Sequence, residues 1–168
     1  RKSVTTMTVC MGIDYGHRFE LNYKAAIVAG QEKFANIFYD EWRYLDSKYV
    51  GEFRIKNLKV GEETVAGWKG QLPDGEKVEM GTRNTIYKRT VYHDPNVLKG
   101  STLNDIILEE SGENEYLIET MDASRDCLMR GSVQYGSMWI YGTGGDMSKG
   151  SKGFKEVFGA VAVKRHLL

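Results

Sequence analysis

Residues 126–165 read DCLMRGSVQYGSMWIYGTGGDMSKGSKGFKEVFGAVAVKR, and the way they divide sets the expected fold. Two short strands surround Gly131 and Gly136, and a third ends in Trp139-Ile140-Tyr141. A glycine-rich turn follows (Gly142, Gly144, Gly145, Gly150, Gly153), and a long apolar strand runs from Val157 to Val163. Glycines at turns, with aromatic and β-branched residues between them, are the habit of an all-β domain.

Working outward, the rest of the chain yields similar segments. Met7, Val9 and Met11 alternate as in a strand. Residues 17–30 read either as a strand or as one or two helical turns before Gly30. Residues 33–58 read as two strands joined by a polar connection, with Val50, Phe53 and Ile55 on one face of the second and Glu52, Arg54 and Lys56 on the other. Leu72-Pro73-Asp74-Gly75 is a turn with a mechanism, because Pro presets φ, Asp bonds locally and Gly tolerates positive φ. It predicts a hairpin between 64–70 and 77–92. A second hairpin is expected between 102–110 and 115–121. The sum is eight to ten short strands in one domain over residues 1–168, with no repeat and no dividing linker. Such a chain closes into a barrel or splits into a sandwich, since an open sheet of this size leaves unpaired edges, and a single antiparallel β-barrel is the expected form.

Composition bounds the function. Of 168 residues, 41% are hydrophobic and 27% charged, and 23 basic side chains balance 23 acidic ones. A net charge of zero argues against a dedicated nucleic-acid binder, which needs a cationic face. No apolar run approaches the roughly 20 residues of a membrane span. The chain begins at Arg1, which leaves a removed leader open. Two cysteines, Cys10 and Cys127, form no disulfide scaffold. His17, His93 and His166 lack metal-ligand spacing. The glycines at 142–153 are followed by no Gly-Lys-Ser/Thr, which argues against a phosphate loop there.

Ile140-Tyr141-Gly142-Thr143-Gly144-Gly145, then Gly153-Phe154 and Gly159-Ala160, resembles the C-terminal signature of the allene oxide cyclase and dirigent barrels. Phe38-Tyr39-Asp40 followed by Val50-Gly51-Glu52-Phe53-Arg54-Ile55 is similar to the early strand pair of that superfamily, and spirotetronate cyclases show a comparable pair. The two patches cover about a third of the chain. The loop from Asp146 to Lys152 is longer than in the plant members, and no catalytic carboxylate is placed by motif.

The resemblance implies a cofactor-free barrel that binds a small apolar molecule and guides its cyclisation, isomerisation or stereoselective coupling by holding a near-attack geometry. On that reading Tyr87 and Tyr141 are hydrogen-bond donors, and Phe53, Ile55, Trp68 and Trp139 are walls of a hydrophobic cavity. No metal is expected, and a homo-oligomer is admitted. The alternatives are a non-catalytic carrier of a small ligand and an interaction subunit with a filled barrel.

Overall fold

A computed structural model describes residues 4–142 and 153–157. Its elements open with helix α1 (Val4–Phe19), strand β1 (Lys24–Ala29) and helix α2 (Glu32–Ser47). Five strands follow: β2 (Asn57–Lys59), β3 (Glu63–Ala66), β4 (Trp68–Gln71), β5 (Lys77–Met80) and β6 (Thr85–Thr90). Next come β7 (Asp105–Glu109), helix α3 (Leu117–Arg125), β8 (Met129–Arg130), β9 (Val133–Gln134) and β10 (Ser137–Ile140).

One six-stranded sheet carries the fold, in the order β10-β7-β1-β6-β3-β2. β1 runs parallel to both β6 and β7, and β10 runs parallel to β7, so four neighbouring strands share one direction. β3 runs antiparallel to β6, and the edge strand β2 runs antiparallel to β3. The reason is legible in β1, KAAIVA, whose last five residues are all buried. A strand covered on both faces needs no polar alternation, and that is the mark of a parallel sheet between helices. Ala25 and Ile27 point into a core shared with α1 and α2 through Ile13, Phe38, Tyr39 and Trp42. Ala26 and Val28 point into the opposite core with Leu98, Leu103, Leu117 and Leu128.

The expected barrel is therefore overturned: the chain is an α/β fold with a mainly parallel sheet, and no closed barrel forms among the described residues. Several predicted strands are helices. Residues 3–11 lie mostly in α1, and the first strand expected in 33–58 is α2. In α2 the buried residues Ala35, Phe38, Tyr39, Trp42 and Asp46 recur at helical spacing, which places its aromatics on one face. The strand expected at 115–121 falls largely in α3. By contrast the Pro73-Asp74-Gly75 hairpin forms as β4 paired antiparallel with β5. The strand ending near Tyr141 exists as β10, but as a parallel strand rather than half of a hairpin. Of the expected closing strand, Val157 ends a helical run over 153–157 and the remainder lies outside the described residues, as do Gly144, Gly145 and Gly150.

Candidate functional site

The chain leaving β1 returns to the sheet on the β6 side, whereas the chain leaving β7 returns on the β10 side. The strand order thus reverses between β1 and β7, and open parallel sheets bind ligands at the carboxyl ends that flank such a reversal. Glu109 and Glu110 stand at that end of β7.

Glu109 closes the strand. Its Oε2 atom is fully buried and makes no hydrogen bond, and the same holds for the Tyr141 hydroxyl at the exit of β10. Burial raises the Glu109 carboxyl to about 7, and the negative charges of Glu110 and Glu41 add to the rise. The adjacent Tyr141 hydroxyl offsets part of it, although neither atom reaches a hydrogen bond of normal geometry. Tyr141 is shifted upward too, first by burial and then by Glu109, with Cys10 of α1 contributing. Tyr141 also packs against the core to which α1 contributes Cys10 and Ile13.

Glu110 adopts the left-handed conformation, with φ 46° and ψ 51°. For a residue with a side chain this costs on the order of 1–3 kcal/mol, and it persists only where surrounding structure fixes it. The fixing contacts are present. Ser111 donates its N–H to Tyr141 O at 3.0 Å, Tyr141 donates to Leu108 O at 3.3 Å, and the buried Ser111 Oγ donates to Leu108 O at 2.8 Å. Gly142, at φ 146°, crosses so closely that a Cβ there would lie 2.7 Å from Glu110 Cα and from Ser111 N. Beside this, a cleft of about 180 Å³ opens between Gly30, Gln31, Tyr92, His93 and Asn114. No grouping of His, Cys, Asp and Glu suited to a metal occurs among the described residues.

The residues expected to form a cavity separate. Tyr141 stands beside Glu109, whereas Tyr87 lies on β6, half-buried, under the Arg89 guanidinium at 5.2 Å. Trp139 is half exposed on β10 and donates Nε1–H to Asp105 Oδ1 at 2.9 Å. Ile55 and Trp68 do meet, in a groove of about 600 Å³ near the amino ends of the strands, where Arg54, Lys56, Gly67 and Gly81 also line it. Phe53 is exposed at the edge of that region. The carboxylates were missed, and their signal was present: Ile106-Ile107-Leu108 is a buried apolar run that ends in two acids.

No model of a known protein family matches the chain, and no curated protein matches it by sequence. Two solved structures share its fold: the large terminase ATPase domain of Thermus phage P74-26, and an arginine-to-alanine mutant of that domain. Each has a TM-score of 0.60 and 14% sequence identity over 85% of this chain. The chain spans 56% of the length of each. At that identity the likeness shows the fold alone, and the fold is α/β. It overturns the resemblance to allene oxide cyclase and dirigent barrels, and with it the expectation of a barrel that guides cyclisation or carries a small ligand. The glycine pattern that suggested them marks, at Gly142, the close crossing of β10 over the exit of β7.

Proposed function

We propose that this chain is part of a nucleoside triphosphatase in which Glu109 and Glu110 handle the water that attacks the terminal phosphoryl group. The observation that carries the reading is the buried Oε2 atom of Glu109, beside the Tyr141 hydroxyl at the exit of a parallel strand and next to a residue held in a left-handed turn. Phosphoryl transfer asks a protein chiefly for positioning and electrostatic stabilisation, with one group orienting the nucleophile. A carboxyl raised to about 7 is matched to accept a proton near neutral pH. The kinship of fold with a domain named for ATPase activity supports this by analogy.

Phosphate-binding loops end in Lys-Ser/Thr at the start of a helix, the Lys reaching the phosphates and the hydroxyl a magnesium ion. Lys2 and Ser3 stand in that order immediately before Val4, where α1 begins. Magnesium travels largely on the phosphates of such substrates and takes few protein ligands. Glu109 and Glu110 fit that sparse demand, and no step is assigned to the ion.

The test is ATP hydrolysis by the protein and its Glu109→Gln and Glu110→Gln variants. At least one variant should lose about 100-fold or more in turnover, while binding of a fluorescent ATP analogue persists. A protein that binds no nucleoside triphosphate, or two variants with unchanged turnover, would overturn the proposal.

A further inference from the structure

Helix α1 is inverted. Its charged residues and its histidine, Asp14, His17 and Arg18, are turned inward. Arg18 bonds Asp14 at 2.9 Å and Asp46 of α2 at 2.6 Å. The outward positions described along it are Met7, Thr8, Met11, Gly12, Tyr15 and Phe19, none of them charged. Met7, Met11, Tyr15 and Phe19 follow one another at intervals of four, which makes a continuous ridge along one side of the helix. Tyr15 and Phe19 rings lie 5.2 Å apart, and Phe19 continues to Phe53 at 6.5 Å. Leu21 extends the patch, whose six large side chains are between 43% and 80% exposed. Beside the ridge runs a row of small residues, Thr8 and Gly12, and a Cβ added at Gly12 would meet nothing within 4 Å.

A helix apolar on both sides is normally covered on both sides. Six such side chains, each more or less half exposed, offer roughly 600 Å², at the top of what a monomer leaves on one patch. That approaches the ~800 Å² per partner of a standard protein interface. The occupant follows from the shape. A ridge at spacing four beside a groove at spacing four is complementary to its own image, because two such helices interdigitate when crossed at about −50°. A two-fold axis places each ridge in the other's groove. Shape and area together thus fit a second copy of the helix. We propose that α1 is the self-association face of this chain, packing against α1 of a second copy through Met11, Tyr15 and the Thr8–Gly12 groove.

Sedimentation of the 168-residue chain between about 1 and 100 µM tests this. A concentration-dependent dimer is expected. Gly12→Leu fills the groove while offering a better helix former in open space, so it should shift the midpoint at least ~10-fold toward monomer with an unchanged or higher Tm. Met11→Lys, on the exposed ridge, should do the same and provides a second reading if the first variant folds poorly. A wild-type chain that stays monomeric throughout the range overturns the proposal. So does a dimer that neither variant weakens.

Discussion

Two residues titrate against each other. His17 is fully buried, both ring nitrogens lack partners, and its ring meets Trp42 edge-on at 5.2 Å. Burial lowers it from 6.5 to about 4, with Arg18 and Arg43 pushing the same way against Asp14 and Asn57. Between those values the unfolded chain binds the extra proton, so stability is lost as pH falls from about 6.5 to about 4, by up to about 3 kcal/mol. Glu109 has the opposite sign. Its folded value near 7 exceeds the ordinary 4.5, so the stability it contributes is present below about 4.5 and lost as pH rises through 7. Over the shared window the two slopes oppose. Urea denaturation should therefore show a shallow pH dependence in the wild type between pH 4.5 and 6.5. Glu109→Gln should become less stable on acidification, and His17→Gln more stable. Parallel profiles in all three proteins would refute the assignment. None of this was legible in the sequence, where His17 is simply a histidine without metal spacing: a missing hydrogen-bond partner belongs to the packed interior.

At the scale of elements, one side chain joins α1 to the sheet. Asn84, fully buried, accepts the Tyr23 N–H at 2.8 Å and donates to His17 O at 2.9 Å and Glu20 O at 2.7 Å. It thus caps the last carbonyls of α1, which an unassisted helix end leaves open. Asn84→Ala strands three backbone groups and should cost about 2–4 kcal/mol in a denaturant titration. Asn84→Asp keeps the acceptor but not the donors and should fall between. The elements themselves were unequally readable. The helical spacing of Ala35, Phe38, Tyr39 and Trp42 stands in the sequence, but the aromatic density of that stretch also suits a strand. In α1 threonines, valines and glycines are poor helix formers, and its apolar residues occupy two faces, so no single stripe announces it. Its helicity rests on what it packs against. The β4–β5 hairpin was readable because Pro73-Asp74-Gly75 specifies it locally.

At the scale of the molecule, direction is what local signals fail to carry. Each of β1, β6, β7 and β10 is visible as a short apolar or β-branched segment, but whether two of them run parallel depends on connections that cross the sheet. An antiparallel reading of parallel strands leads to a barrel, and the barrel carried the functional expectation with it. Residues that a barrel would gather inside, such as Trp139 and Tyr87, instead lie on opposite faces of an open sheet. The β4–β5 hairpin stands outside that sheet as its own two-stranded unit, meeting it chiefly at β2. Replacing residues 69–79 with a two-residue turn should therefore move Tm by less than about 3 °C, under about 1 kcal/mol for a chain of this size. A larger loss would mean that the hairpin supports the sheet.

The crossing of Gly142 over Glu110 gives the molecule a mechanical property. Its Cα rests against the backbone of the two residues it crosses, and the Ser111–Tyr141 bond clamps the same junction at 3.0 Å. The exits of β7 and β10 are thus tied to each other by one hydrogen bond and one close backbone crossing. Gly142→Ala should force the two backbones apart and lower the Tm in a thermal melt, because its Cβ would sit 2.7 Å from Glu110 Cα and from Ser111 N.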